Sequence, residues 1–122
     1  MALEFICVGL GGMLGSIGRY TLTKISVYYG AVFPWGTLLS NVLAGILVGW
    51  IFALEKGPGL SPRLVLALRT GFLGGLSTFS AFSLETIKYA QAGSYGWAAL
   101  NVFLNLSLSL LGVVLGLNLY KA

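Results

Sequence analysis

The chain has 122 residues, of which 57% are hydrophobic and only 8% charged. A soluble domain carries about 25% charged residues, so this composition cannot cover a water-facing surface and reads as a membrane protein. Histidine is absent and Cys7 is the sole cysteine, which excludes an internal disulfide and any Cys/His zinc centre. Cys7 lies in an apolar run and reads as a small buried hydrophobe. The net charge of +4 does not point to nucleic acid, because the basic residues are scattered at span ends and form no patch.

Four apolar stretches follow in chain order, roughly Leu3 to Leu22, Trp35 to Leu54, Leu64 to Tyr89 and Trp97 to Tyr120. Each is near the ~20 residues that a spanning helix needs. The expected fold is an all-α membrane protein, a single four-span transmembrane domain over residues 1–122. The first stretch lacks the basic start of a signal peptide and carries only Glu4. Pro34, Pro58 and Pro62 fall between spans or at a span's start, where proline is tolerated. Trp35, Trp50, Tyr28, Tyr29, Tyr89, Tyr95, Trp97 and Tyr120 cluster near span ends, as an interfacial belt does.

Each span carries two glycines four apart: Gly11 and Gly15, Gly45 and Gly49, Gly71 and Gly75, Gly112 and Gly116. Such pairs let helix backbones approach closely, and packing alone accounts for them. Polar stripes run beside them. Span 1 places Gly12, Gly15, Ser16 and Arg19 along one side. Span 2 repeats Thr37, Asn41, Gly45 and Gly49 every fourth residue, with Ser40 beside them. Span 4 repeats Asn101, Asn105 and Ser109 in the same way. Spacings of three and four share a helix face. A single Ser or Thr in such a stripe reads as an interhelical hydrogen bond, worth about 0.6 kcal/mol in a membrane. Asn41, polar and at mid-span, reads as functional, while Asn101 fits either reading.

Span 3 holds the most informative segment, GFLGGLSTFSAFS over Gly71–Ser83. Gly74-Gly75 and the hydroxyls Ser77, Thr78 and Ser80 have poor helix propensity, so a break is expected at Gly74-Gly75-Leu76-Ser77. Unpaired backbone at membrane depth is tolerated only inside protein or beside a polar cavity. Phe79 and Phe82 share a face just after the break, and a phenyl ring has a positive edge that suits an anion. Asn amides and Ser/Thr hydroxyls donate hydrogen bonds, and no carboxylate lies mid-span in spans 1, 2 or 4. The chemistry therefore favours an anion. Glu85, the sole acid of span 3, is placed to accept from a neighbouring hydroxyl.

The loops do not choose an orientation. With the N-terminus inside, Lys56, Arg63 and Lys121 face the cytoplasm, against Lys24, Lys88 and Arg19 at the other end. Arg69 tips that balance only weakly. An inner-membrane protein ordinarily shows a cytoplasmic Lys/Arg excess, so insertion both ways and antiparallel pairing about a twofold axis are expected. Four close-packed helices leave little room inside one subunit, and the path is expected where subunits meet.

At these residues the sequence closely resembles the Fluc/CrcB family of fluoride channels. The likeness runs through Gly11-Gly12, Gly15 and Arg19-Tyr20, then Gly36-Thr37-Leu38, Asn41 and Gly45, then Gly71-Phe72, Gly74 to Ser83 and Glu85. Span 4 matches more loosely through Asn101, Asn105 and Ser109. The resemblance implies an antiparallel dual-topology homodimer in a bacterial-type inner membrane, with two fluoride pores and a central structural sodium. It implies that Asn41, Phe79 and Phe82 are pore residues. It implies that Gly74 and Ser77 offer backbone carbonyls to sodium. Thr37, Ser80, Ser83, Glu85 and Ser109 would form a polar track, and Arg19 would face the vestibule or hold the span. Ser77 and Ala81 stand where the family usually has Thr.

No Gly-rich phosphate loop is present, and no His, activated Cys or carboxylate pair marks an enzyme. The alternative is a small dual-topology exporter of cationic drugs or metabolites. That class would need a mid-membrane carboxylate in span 1, where the acid is Glu4 at the membrane edge. A purely structural subunit would explain the glycines but not polar stripes joined to a broken span.

Overall fold

Helices form on all four apolar stretches in the computed structural model, which describes residues 1–121. Helix α1 covers Ala2–Tyr28 and α2 covers Trp35–Lys56. The third span runs over Pro62–Gln91 in pieces, and α6 covers Tyr95–Leu119. Each span is long and apolar enough to cross a membrane.

Helix α1 runs a turn and a half past Leu22, the expected end. Thr21 and Thr23 do not stop it, because their hydroxyls donate back to the Ile17 and Arg19 carbonyls at 2.8 and 3.1 Å. The chain reverses at Gly30, whose φ of +67° favours glycine.

Span 3 differs most from expectation. It starts as α3, Pro62–Val65, with Pro62 in its first turn and the Ser61 hydroxyl accepting from the Leu64 N–H at 3.2 Å. Leu66–Leu73 then widens into a π-helix, and Gly74–Leu76 continues as α4. The break falls at Ser77 and Thr78, which are extended with ψ of 155° and 119°. The segment resumes as α5, Phe79–Gln91. Gly74 and Gly75 are thus helical, and the break sits just past them. Their glycine character serves packing instead. A π-turn carries a functional helix out of its regular register, and hydrophobic periodicity does not reveal it over eight residues.

The paired glycines lock the spans together two by two. Gly11 and Gly15 of α1 face the Ala67 and Phe72 carbonyls, while Gly71 and Gly75 return the contact to Val8 and Gly12. Gly45 and Gly49 of α2 face the Ser109 and Val113 carbonyls of α6, and Gly112 and Gly116 face Val42 and Ile46. A Cβ at Gly75 would lie 2.5 Å from the Gly12 oxygen. Spans 1 and 3 therefore form one close pair and spans 2 and 4 the other. At one end Phe33, Trp35, Trp97 and Tyr89 gather, and the Tyr89 hydroxyl donates to the Val32 carbonyl at 3.0 Å. Most remaining large apolar side chains point outward, as a lipid-facing or subunit-facing surface requires.

Candidate ion pathway

The break exists because side chains take over its backbone. In an unbroken helix the Thr78 N–H would donate to the Gly74 carbonyl. Here it donates to Asn41 Oδ1 at 2.7 Å. The Ala81 N–H, which would serve Ser77, donates to Thr78 Oγ1 at 3.2 Å. The carbonyls of Gly74 and Ser77 thereby lose their helical donors, and these are the two carbonyls the family resemblance picks out. The Gly75 carbonyl accepts from Arg19 Nε at 3.1 Å. Arg19 thus ties α1 to the last helical turn before the break.

Asn41 is fully engaged. Its Nδ2 donates to the Thr78 carbonyl at 3.2 Å and to Asn105 Oδ1 at 2.9 Å. Asn105 in turn donates to Asn101 Oδ1 at 3.0 Å, and Asn101 to Thr86 Oγ1 at 3.0 Å. Asn101 is 0% and Asn105 4% exposed. Thr86 carried no signal in the sequence beyond lying one turn after Phe82, and it is the residue that sequence reasoning missed.

One turn from Asn41 on α2, Thr37 donates to Glu85 Oε1 at 2.5 Å. The other carboxylate oxygen is buried and has no partner among the described residues. Thr37 and Glu85 line a cavity of about 410 Å³ that also takes in Thr23, Ser26, Lys88 and Tyr89. A second, shallower groove of about 460 Å³ runs past Asn41, Ser77, Thr78, Phe79 and Ser109 to Arg69. Arg69 itself pairs with Glu55 at 2.9 Å.

Phe79 lines the groove with Asn41, and its ring packs against that of Phe82. Their centroids are 5.4 Å apart at an interplanar angle of 62°, an edge-to-face pair. They are not equivalent: Phe82 is 7% exposed and Phe79 75%. Phe79 projects from the chain beside the groove, with no covering element of its own. Ser80 touches the Thr78 hydroxyl at 3.3 Å, and Ser83 donates back to the Phe79 carbonyl at 2.8 Å. Ser109 lines the groove with its backbone against Gly45. The structure therefore brings Asn41, Phe79 and Ser109 to one groove and Thr37 and Glu85 to a separate cavity, with Phe82 packed on Phe79 and with Ser80 and Ser83 lining neither space.

Four apolar spans, one of them broken beside amides and hydroxyls, define a multi-pass membrane protein. The chain belongs to the CrcB family: the family described as "CrcB-like protein, Camphor Resistance (CrcB)" matches residues 6–117. Among its relatives is the fluoride-specific ion channel FluC of Shewanella sp. (strain ANA-3), 46% identical over 114 residues, 93% of this chain and 92% of that one. The fluoride-specific ion channel FluC of Shewanella oneidensis is 45% identical over the same shares. That of Shewanella baltica (strain OS155) is 44% identical. These relatives are named as ion channels, which are not enzymes.

Proposed function

We propose that this protein is a fluoride-selective channel that lets fluoride leave the cytoplasm passively. The observation that carries the reading is the edge-to-face pair Phe79 and Phe82 beside Asn41 and the break, with Phe79 and Asn41 lining one groove. Ring edges and amide or hydroxyl hydrogens are all positive ends of dipoles. Held in fixed positions away from water, they replace part of an anion's hydration without a mobile countercharge. Asn41 contributes by exchanging its longer bond, that to the Thr78 carbonyl, for the ion. Thr37, Ser80, Ser83, Glu85 and Ser109 continue the track toward either mouth.

One chain leaves Phe79 and the groove open on its surface, which supports a second copy completing the path. The balanced charge count supports antiparallel insertion in a bacterial inner membrane, hence two pores per dimer. The carbonyls of Gly74 and Ser77 are neutral oxygen donors freed from helical bonding, and such donors suit a hard cation. Two per chain are too few for a full shell, and two chains meeting at their breaks double the number. Among the described residues no group of three or more His, Cys, Asp and Glu offers another metal site. When bound, sodium would supply positive charge between two anion paths.

Hydrogen fluoride crosses bilayers as a neutral weak acid and dissociates in a less acidic cytoplasm. A membrane potential, negative inside, then drives the anion outward by about 2.3 kcal/mol per 100 mV, so a passive pore is enough. Purified protein in liposomes loaded with fluoride or chloride tests the reading. Fluoride is expected to leave and chloride to stay. Chloride passing as readily as fluoride would overturn it.

A further inference from the structure

Three amides of α2 and α6, the two on α6 buried, form a single line of hydrogen bonds whose direction is fixed at both ends. At one end stands the Thr78 N–H, which can only donate, and it donates to Asn41 Oδ1 at 2.7 Å. Asn41 Nδ2 then donates to Asn105 Oδ1 at 2.9 Å, Asn105 Nδ2 to Asn101 Oδ1 at 3.0 Å, and Asn101 Nδ2 to Thr86 Oγ1 at 3.0 Å. The Thr86 hydroxyl ends the line by donating to the Phe82 carbonyl, which can only accept, at 2.8 Å. No amide in the line can flip without setting donor against donor.

Both ends of this line attach to the same short stretch of chain. Thr78 precedes Phe79, and the Phe82 carbonyl belongs to the second ring residue. We propose that Asn105, Asn101 and Thr86 are positioning residues: with Asn41 they form a one-way strut that fixes the Thr78–Phe82 turn and so the attitude of both rings. Bonds arranged head to tail polarise one another and stiffen the line. Asn101 and Asn105 are 0% and 4% exposed, so water cannot replace the link between them. The direct contact from Asn101 Nδ2 to the Phe82 carbonyl is 3.5 Å, too long to take over. This strut rests on the reading of Phe79 and Phe82 as rings that line the path.

Thr86 is the link to cut, because it is half-buried and bears no ion contact in this reading. Thr86→Val and Thr86→Ala remove the hydroxyl, one with equal bulk and one with less, while Thr86→Ser keeps it. Fluoride and chloride efflux from liposomes are measured for each, beside Phe79→Ile and Phe82→Ile. Loss of the hydroxyl should lower fluoride flux by about threefold or more and reduce the fluoride-to-chloride ratio. Thr86→Ser should restore both. A second readout is deuterium exchange of the Asn41 and Asn105 side-chain amides by NMR in micelles. It should be slow in the unmodified protein and in Thr86→Ser, and faster in Thr86→Val or Thr86→Ala, although these amides do not touch Thr86. If the Phe variants conduct normally, the ring reading fails and the strut's purpose with it. If they lose flux while Thr86→Val and Thr86→Ala keep both flux and ratio, or the distant amides exchange as before, the strut alone is overturned.

Discussion

Asn41 grips both polar groups of the Thr78 backbone, accepting from its N–H at 2.7 Å and donating to its C=O at 3.2 Å. A side-chain amide on α2 thus imitates a neighbouring peptide and holds span 3 open at that residue. The break is therefore a property of two spans together. A helix interior ordinarily resists such an opening because backbone groups without partners cost several kcal/mol in lipid.

Asn41→Asp tests this grip and the anion contact together. Aspartate keeps an acceptor for the Thr78 N–H but loses the donors to the Thr78 carbonyl and Asn105. It also places negative charge beside the path. Asn41→Ser keeps one donor and adds no charge. Fluoride flux should fall further in Asn41→Asp than in Asn41→Ser. Equal efflux from liposomes would count against a contact between Asn41 and the anion.

The unequal burial of the two rings separates flux from stability. Phe→Ile at either position removes the positive ring edge while keeping most of the bulk. Flux should fall steeply in both variants. Phe82, 7% exposed, should also lose up to about 1.5 kcal/mol of stability from altered core shape. Phe79, 75% exposed in the single chain, should change the isolated fold little. Unchanged flux in both variants would return the rings to a packing role.

Gly75→Val is expected to be severe for a steric reason. Gly75 is helical, and a side chain there meets the Gly12 carbonyl at 2.5 Å and the Ser16 nitrogen and hydroxyl at 3.0 Å. These are backbone and near-backbone atoms of α1 that cannot swing aside. Spans 1 and 3 would have to separate. Gly96→Ala is the control, since its Cβ meets nothing within 4 Å. Size-exclusion profiles and melting in detergent should show loss of folded protein for Gly75→Val and none for Gly96→Ala. Equal melting of the two would refute close packing at Gly75.

Much of this fold was legible in the sequence because membrane depth imposes a coarse rule on length and polarity. The four spans follow from that rule, and the matched glycines from the need for close backbones. The stripes at Thr37–Asn41 and Asn101–Asn105 were also visible, since an amide in lipid must find a partner. Their partners were not. That Asn41 reaches both Thr78 and Asn105 depends on the packing of α2 against its neighbours, set in part by Gly45 and Gly112 through contacts distant in sequence. The expected break, Gly74 to Ser77, meets the observed one at Ser77 but begins three residues too early, for a related reason. Glycine signals weak helix propensity in isolation, yet Gly74 and Gly75 are held helical by packing on α1, and Asn41 decides where the helix opens. Thr86 resembled any helical threonine until Asn101 was seen to donate to it.

Orientation is the property that the balanced loops predict most directly. With insertion both ways, about half of the C-terminal tags should be labelled in intact cells and the rest only after permeabilisation. Labelling divided between the two sides would support the proposed antiparallel pair. Labelling from the cytoplasmic side alone would rule it out.

The diverted bonds at the break also predict how the assembly responds to cations. Asn41 takes the N–H that Gly74 would use, and Thr78 takes the N–H that Ser77 would use. Each freed carbonyl needs a positive partner, since orphan polar groups in lipid are costly. Arg19 already serves the Gly75 carbonyl between them, so the protein supplies a partner there and none to Gly74 or Ser77 among the described residues. In an antiparallel pair four carbonyls would converge, a donor set for a hard monovalent ion and too weak in charge for tight divalent binding. Replacing sodium by a large organic cation should lower dimer stability and fluoride flux together, after exchange long enough to empty an enclosed site. Restoring sodium should recover both. If neither quantity changes, the carbonyls of Gly74 and Ser77 hold no ion, and water or the partner chain must satisfy them.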